Sequence, residues 1–303
     1  RSPRAWAALR TPKVRAETAE PGSSGMAASR ASAAVIWMNR PRPASPLWSC
    51  PVEWRNRGPN PTVTGRPVLA ESRFRKAPSA ASALLPGAMN AWMGKVLHVD
   101  LSSEKITIER LDERVAADFV GGRGLNSLRL FRDLKPGIDP LSAENVICFA
   151  PGPLTGTPLS LTSRVQVSTL SPLSGILGDG NAGGEFPTVL KKAGFDQLVV
   201  TGRSPTPRYL WIENGRASLR DASSLWGKST WQTADLLKQE HGPDVRVACI
   251  GQAGENLVRF ASVICDKYSS AARGSGAVMG SKNLKAVAVR GTGEVPVARP
   301  EEF

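Results

Sequence analysis

Residues 150–186 read APGPLTGTPLSLTSRVQVSTLSPLSGILGDGNAGGEF, a stretch crowded with Gly, Pro, Ser and Thr between apolar runs. This composition fits neither one long helix nor one long strand, because glycine lets backbone approach a ligand closely and proline fixes turns. Arg164 stands in an alternating segment, and Asn181 stands among glycines just before a predicted helix. The stretch predicts a backbone-built cradle for a large polar ligand, with Arg164 as an anion contact.

The positive charge of the chain is unevenly distributed. The 303 residues carry a net charge of +13, but residues 1–88 alone hold 14 Lys or Arg against 4 Asp or Glu. The remainder is close to neutral, which argues against nucleic-acid binding because phosphate binding needs a clustered basic face. No apolar run approaches the length of a membrane span. We therefore expect a cytoplasmic protein with neither a nucleic-acid nor a membrane partner.

Residues 1–88 differ from the rest in composition as well as in charge. They hold 12 of the 24 prolines and show no sustained period of 3.6 or 2, so we expect a disordered tail. Two origins remain open: a targeting-like extension rich in Arg, Ser and Ala, or upstream sequence that is not native coding sequence. We favour the second, with the true start at Met89, because ordered patterns begin there. The predicted domain covers residues 89–303.

The four cysteines offer no ligand pattern. Cys50, Cys148, Cys249 and Cys265 form no CxxC pair, and three of them lie in or beside apolar runs. A free cysteine in such a place usually behaves as a small buried hydrophobe. The spacing therefore favours neither a metal or cluster site nor a disulfide framework.

Short alternating and periodic segments follow one another from residue 95 onward. Residues 95–101 and 105–111 read as one hairpin, and residues 209–213 and 217–220 as another that turns at Asn214-Gly215. Helices are predicted at 112–119, 125–134, 188–193 and 229–240, and further strands at 146–150, 197–201, 245–250 and 285–290. This order indicates an α+β fold of antiparallel sheets with intercalated helices.

A faint internal repeat runs through the domain. Gly183 precedes a helix and the strand 198–200, and Gly276 precedes the strand 287–289. The spacings differ, so the pattern suggests a pseudo-twofold duplication without fixing its boundaries.

The glycines of the cradle match a dinucleotide-binding pattern. Gly178, Gly180 and Gly183 have the spacing G-x-G-x-x-G. That fingerprint needs a buried strand immediately before it and an acidic residue at the end of the next strand. Both contexts fail here, so the match does not indicate NAD binding.

Three charged residues each allow two readings. Arg164 is either a solvent-facing strand residue or a fork for phosphate or carboxylate, and its glycine-rich flanks favour the fork. Arg273, with the glycines that follow it, fits an ordinary turn and an anion site at a helix start equally well. Glu255 is interpreted as a loop brace rather than an acid/base group.

Ten motifs in order resemble the N-terminal domain of the aldehyde ferredoxin oxidoreductase family, and the resemblance spans residues 89–302 nearly without gaps. They are WMGKVLHVDLSSEKI, FVGGRGLNS, LKPGIDPLSAEN, GPLTGTP, LSPLSG, NAGGEF, LKKAGFDQLVVTGRS, DASSLWGK, IGQAGENLVRFAS and GAVMGSKNLKAVAVRG. Their number and order make the resemblance far more specific than any single motif.

The resemblance implies a tungsten or molybdenum enzyme whose metal is held by the dithiolenes of two pterins, beside a [4Fe-4S] cluster. Members of the family typically oxidise an aldehyde with water to a carboxylic acid. They pass two electrons to ferredoxin, or to another electron-transfer subunit. The N-terminal domain is expected to be the base on which the bis-pterin cofactor lies, and a homodimer is compatible with this reading.

The resemblance also implies roles for particular residues. Arg164 matches the cradle arginine that links the pterins with the surroundings of the cluster. Asn181 matches an asparagine whose backbone carbonyl binds a Mg ion bridging the pterin phosphates, with Gly183 nearby. A second loop would supply further phosphate contacts and another Mg ligand, the carbonyl of Ser270. The matching residues of this loop are Ser269, Ser270, Ala272 and Arg273.

The second loop departs from the family pattern. Many members have His-Arg-Ala-Ala-Gly-Arg-Gly-Gly there, whereas residues 268–275 read YSSAARGS. Ser269 replaces the loop arginine, which leaves the phosphate contacts and the substrate class open. A carbonyl ligand such as that of Ser270 tolerates a change of side chain.

The family's cluster cysteines and its catalytic acid and histidine lie in later domains. We therefore expect no catalytic residue within residues 89–303 and no activity from this chain alone. Three functions remain open for the protein. It is part of an aldehyde-oxidising enzyme, part of a carboxylate- or acyl-CoA-reducing member such as class II benzoyl-CoA reductase, or a non-catalytic pterin-binding scaffold.

Overall fold

The computed structural model describes residues 89–302, and the predicted tail and Cys50 lie outside the described residues. Twelve strands are formed in this part of the chain: β1 (Lys95–Asp100), β2 (Lys105–Arg110), β3 (Ile147–Pro151), β4 (Val165–Leu170), β5 (Leu177–Ala182), β6 (Gln197–Thr201), β7 (Arg208–Glu213), β8 (Arg216–Asp221), β9 (Arg246–Cys249), β10 (Val263–Cys265), β11 (Ser269–Ala271) and β12 (Leu284–Arg290). The α-helices are α1 (Glu113–Phe119), α2 (Gly122–Asp133), α3 (Phe186–Lys192), α4 (Thr230–His241), α5 (Gln252–Glu255) and α6 (Ser275–Ser281).

The strands form two six-stranded sheets with the same topology. The first sheet has the order β2-β1-β6-β3-β4-β5, and the second, read from its own opening hairpin, has the order β8-β7-β12-β9-β10-β11. In each sheet the third strand is parallel to its neighbour in the hairpin, and every other pair is antiparallel. The α+β prediction and the duplication are confirmed. The parallel pair in each sheet was not indicated by the sequence.

Helices lie between the two sheets and on both outer faces. Helix α3 packs against β9 and β12 of the second sheet, and helix α6 packs against β3 and β4 of the first, so each half places a helix on the other half's sheet. Phe149, Phe186 and Val287 belong to the single large core that results. Helix α2 covers the outer face of the first sheet through Leu125 and contacts β3 and β4. Helix α4 covers the outer face of the second sheet.

Local sequence signals explain where several elements begin. Asp112 caps α1 by accepting hydrogen bonds from two backbone N–H groups, and Ser229 forms a complete capping box with Gln232 at the start of α4. Asn214 and Gly215 both have positive φ, as the tight turn between β7 and β8 requires. These predicted caps and turns are confirmed.

Two segments differ from their predicted form. The run from Gly178 to Ala182 was expected as part of a loop-like cradle, but it lies within strand β5. The loop at 251–256 contains the one-turn helix α5. In both segments a glycine allows a close backbone contact, which local propensity cannot show.

Each half contains one buried lysine–carboxylate pair. The Lys191 Nζ lies 3.3 Å from Asp196 Oδ1, and both side chains are fully buried. Lys285 pairs with Glu255, which also accepts a hydrogen bond from the Gly227 N–H at 2.8 Å. Glu255 is thus a brace, as the sequence suggested. Lys191 also donates to the carbonyls of Ala91 (2.6 Å) and Pro153 (3.0 Å).

A third buried lysine connects the two halves. Lys282, at the end of α6, donates to the carbonyls of Asn145 (2.5 Å), Gly202 (2.9 Å) and Ala143 (3.2 Å) in the first half. Burial, with a smaller contribution from Arg203, lowers the pKa of Lys282 to about 7. Among the residues described, no helix has the length and apolar character needed to cross a membrane.

Candidate anion-binding site at the junction of the two sheets

The edge strands β5 and β11 of the two sheets lie against each other. A Cβ at Gly180 would stand 2.7 Å from backbone atoms of Ala271 and Ala272, and one at Gly178 would stand 2.9 Å from the carbonyl oxygen of Arg273. Real Cβ contacts are not that short, so only glycine permits this approach. The Ser171 hydroxyl donates to the same Arg273 carbonyl at 2.7 Å. The glycines of the cradle therefore serve strand-to-strand contact.

The sequence-predicted residues of the first half lie together at this junction. Arg164, which directly precedes β4, donates from Nη1 to Asn181 Oδ1 at 3.1 Å, and both side chains are exposed. A Cβ at Gly183 would meet the Arg164 guanidinium at 3.4–3.6 Å. The Gly183 N–H donates to Ser269 Oγ, in the second half, at 2.7 Å.

The predicted residues of the second loop complete the same surface. Ser270, Ala272 and Arg273 are exposed, and Ser269 is half-buried. The expected loop is in fact the short strand β11 followed by a turn into α6. The structure thus brings all seven predicted residues to one junction, although Asn181 and Ser270 belong to different sheets.

A row of polar side chains runs along β4 and β5 beside Asn181. The side-chain oxygen of Gln166, in the amide orientation that satisfies its neighbours, accepts from Asn181 Nδ2 at 2.7 Å, and its nitrogen donates to Asp179 Oδ1 at 3.1 Å. Ser168 Oγ also donates to Asp179 Oδ1, at 2.9 Å. Arg123, at the start of α2, forms an ion pair with Asp179 Oδ2. The row therefore has an arginine at each end, Arg164 and Arg123.

A cavity of about 370 Å³ lies at the Arg123 end of the row. Arg123, Asp179 and Arg273 line it together with the apolar side chains of Ile176 and Leu177. Arg123 and Asp179 were not identified as site residues from the sequence. The quoted motif FVGGRGLNS carried the only signal for Arg123, since it places an arginine among glycines at a helix start.

Left-handed backbone conformations occur on both sides of β11, in the second half of the junction. Asp266 (φ +48°), Lys267 (φ +69°) and Arg273 (φ +72°) adopt the left-handed region, and Gly274 (φ +83°) follows. Non-glycine residues hold such conformations where the surrounding structure over-determines them, and these places cluster at ligand-binding sites. The turns on both sides of β11 therefore have conformations that the surrounding structure enforces.

The described cysteines offer no cluster ligands at this surface. Cys148, Cys249 and Cys265 are free and buried. Burial raises the pKa of all three thiols, that of Cys249 to about 12, so each stays protonated at neutral pH. Within residues 89–302, no three His, Cys, Asp or Glu side chains are grouped as they would be around a metal ion.

The junction therefore contains groups that are suited to binding a ligand. It combines exposed guanidinium groups, an exposed amide and glycine backbone in a fixed shape, which is the combination that holds phosphate or carboxylate groups. The fold and the junction define a duplicated α+β domain with a candidate anion-binding surface between its two edge strands.

A family model described as "Aldehyde ferredoxin oxidoreductase, N-terminal domain" matches residues 96–291. The chain belongs to this oxidoreductase family. The resemblance noted in the sequence is thereby confirmed.

Particular relatives agree with this assignment. The chain is 44% identical over 212 residues to a tungsten-containing aldehyde ferredoxin oxidoreductase from Pyrococcus furiosus, covering 69% of this chain and 35% of that protein. It is 37% identical over 232 residues to an aliphatic sulfonate oxidoreductase, WOR-like subunit, of the same organism, covering 71% of this chain and 37% of that protein. The chain therefore spans about a third of the length of these curated relatives.

A solved structure has the same fold. It is the active-site complex BamBC of benzoyl-coenzyme A reductase in complex with 1,5-dienoyl-CoA, which matches with a TM-score of 0.69 and 44% sequence identity. The match covers 71% of this chain and 33% of that chain.

Proposed function

We propose that residues 89–303 form the pterin-binding N-terminal part of an enzyme that oxidises aldehydes to carboxylic acids. Electrons leave through a [4Fe-4S] cluster to ferredoxin, and the cluster ligands and catalytic side chains are supplied outside residues 89–303. The 44% identity to a tungsten-containing aldehyde ferredoxin oxidoreductase supports the reaction class. The bound tungsten- or molybdenum-bis-pterin group would supply the two-electron redox chemistry.

The observation that carries the proposal is the junction of β5 with β11. Residues separated by about 90 positions, a separation that costs little loop-closure entropy, meet there: Gly183 bonds to Ser269, and Gly180 lies against Ala272. A ligand with two phosphates needs such a two-sided surface. Arg164 stands on the first side and Arg273 on the second.

The residues present fit the implied group. The guanidinium groups of Arg164 and Arg273 would bind pterin phosphates, and Gly183 leaves the Arg164 guanidinium uncovered because any Cβ there would touch it. The backbone carbonyls of Asn181 and Ser270 would hold a Mg ion that offsets phosphate repulsion, since Mg prefers oxygen ligands. Ser269 keeps a hydroxyl at the position of the family's loop arginine, so it orients Gly183 rather than pairing with a phosphate.

A second candidate function is reduction of a carboxylate or an acyl-CoA ester. The structural match to a benzoyl-coenzyme A reductase complex, at a sequence identity equal to that of the aldehyde-oxidising relative, favours it. Both candidates use the same base for the cofactor, so the junction does not separate them.

The nucleotide sequence beyond codon 303 tests whether the protein is an enzyme. An open frame that continues and contains CxxCxxxC is the expected result, because cluster ligation needs several converging thiolates. A stop codon there would favour the non-catalytic pterin-binding scaffold over the enzyme.

The reaction itself is tested on protein purified anaerobically from its native source. We expect reduction of ferredoxin on addition of an aldehyde, and no consumption of an acyl-CoA ester with a strong reductant. The opposite pattern would assign the reductase function instead.

A further inference from the structure

A carboxylate from the second half of the domain caps a helix of the first half. Asp266, in the turn between β10 and β11, accepts through Oδ2 the N–H groups of Glu185 (2.7 Å) and Phe186 (2.5 Å) at the start of α3. Glu185, the N-cap residue of α3, makes no side-chain cap of its own. The first N–H groups of a helix need such acceptors, so Asp266 supplies from the other sheet what the local sequence lacks.

The glycine turn just before α3 is held by side chains from both halves of the domain. Gly184 has φ +91°, and a Cβ there would stand 2.8 Å from Asp266 Oδ2. Ser269 accepts the Gly183 N–H at 2.7 Å, and Ser163 Oγ donates to the Gly184 carbonyl at 2.6 Å. The turn that follows Asn181 is therefore fixed by hydrogen bonds from two sides.

The turn that carries Asp266 is itself held in place. Its residues Asp266 and Lys267 both have positive φ, and Lys267 forms an ion pair with Asp235 on α4 while lying 5.2 Å from the centre of the Trp231 ring. Consecutive left-handed residues are rare unless neighbouring groups enforce them. A turn of the second half with two left-handed residues thus places one carboxylate against the first half.

We propose that Asp266 is a positioning residue of the anion-binding surface. It holds the segment 181–184 in the shape that presents Asn181 to phosphate, and Ser163 supports the segment from its own half of the domain. This inference rests on the proposed function, because it assigns Asp266 to the same surface. It adds the point that the surface depends on a residue from the other sheet which touches no ligand.

The test uses the 303-residue chain with Mg²⁺ and inorganic pyrophosphate as the probe for paired phosphates. Asp266→Ala is expected to weaken binding measured by calorimetry at least 10-fold. Asp266→Asn keeps one acceptor oxygen for the two N–H groups, so binding should return to within about 3-fold of the unsubstituted chain. This rescue separates positioning from a general structural role.

Amide hydrogen exchange provides the second measurement. In Asp266→Ala, amides at 183–188 should exchange at least 10-fold faster, while those of β12 keep their protection. Asp112→Ala is the matched control, because Asp112 also caps a helix but within its own half. It should leave both probe binding and exchange at 183–188 unchanged.

Each outcome decides the inference. Wild-type affinity in Asp266→Ala, or unchanged exchange at 183–188, would overturn it. If Asp266→Ala fails to fold, Ser163→Ala takes its place with the same expectations and the same overturning results. If the unsubstituted chain does not bind the probe, the proposed phosphate surface is wrong, and the exchange measurement alone decides whether Asp266 fixes the turn.

Discussion

The two halves of the domain share one topology but differ in their edge hairpins. In the first half, β4 and β5 have six residues each and carry the polar row ending in Arg164 and Arg123. In the second half, the matching strands β10 and β11 have three residues each, and the turns around β11 hold the strained backbone. The central strands, by contrast, are equally buried in both sheets.

This difference shows where the duplicated unit was free to diverge. Central strands are constrained by packing on both faces, whereas an edge strand has an open side that can be given to a ligand or to another element. Here each edge covers part of the other, and the uncovered part is the surface that we propose binds anions. The hairpin β4–β5 contributes side chains to the junction. The hairpin β10–β11 contributes backbone and the Asp266 carboxylate that caps α3.

The largest expected effect tests the buried pairs of the two halves. Asp196→Ala should lower the free energy of unfolding by about 3–5 kcal/mol, because it leaves Lys191 buried without its partner. Asp196 also accepts the N–H groups of Met93 and Gly94, at 3.1 and 2.6 Å. Urea titration of the chain measures the loss.

Glu255→Ala is the matched substitution in the second half. It breaks the pair with Lys285 but frees only one backbone N–H, that of Gly227. We expect a smaller loss than for Asp196→Ala. Equal losses, or a larger one for Glu255→Ala, would mean that the first half does not depend on Asp196 to hold the segment before β1.

The next effect concerns the contact between the edge strands. Gly180→Ala places a Cβ 2.7 Å from backbone of Ala271 and Ala272, which cannot rotate away. Overpacking of this kind should cost about 3 kcal/mol of the free energy of unfolding. Gly152→Ala is the control, since its nearest new contact is 3.8 Å away, and it should change stability by less than about 0.5 kcal/mol. Similar melting temperatures for the two variants would contradict the close contact.

A smaller effect is expected on binding without loss of stability. Arg164→Ala should weaken Mg²⁺–pyrophosphate binding by about 10-fold, because a charge-assisted hydrogen bond to phosphate is lost. Arg220→Ala removes an exposed arginine on β8, away from the junction, and should leave affinity unchanged. Calorimetry on both variants decides, and an Arg164→Ala chain that binds as tightly as the original would remove Arg164 from the site.

The smallest effect is a pH dependence from the lysine that joins the halves. The pKa of Lys282 is about 7 in the fold and near 10.4 in an unfolded chain. Between these values the unfolded chain binds more protons, so stability should rise with pH, by about 1 kcal/mol from pH 7 to 8. Lys282→Met should lack this rise. Urea titrations at both pH values check it, and parallel curves for the two proteins would show that Lys282 does not titrate there.

Local signals sufficed for much of the fold. The strand Gln197–Thr201 was predicted to its exact bounds because five strand-forming residues stand between Asp196 and Gly202. The Ser229 cap of α4 was one of two predicted alternatives, because capping depends on residues within one turn of each other. Such features need no knowledge of the other half of the domain.

The remaining features depend on contacts between distant residues. Strand β5 reads LGDGNA, which has poor strand propensity, and only the presence of β11 explains its glycines. The cap on α3 was missed because Asp266 lies 80 residues from Phe186. Arg164 and Asn181 were singled out by the glycine-rich composition around them and by the family resemblance, whereas their neighbour Asp179 was not, since its ion pair with Arg123 exists only in the folded sheet.

The strand order also determines the order in which parts of the domain can fold. Val96 of β1 pairs with Gln197 of β6, and Arg208 of β7 pairs with Leu284 of β12, so each sheet is completed by the last strand of its half. During synthesis the first hairpin leaves the ribosome long before its parallel partner, and non-local pairing of this kind is slow. The cap at the start of α3 forms later still, because Asp266 is synthesised about 80 residues after Phe186. A nascent chain that stops before residue 266 therefore has a complete first sheet to form but no cap for the helix beside it.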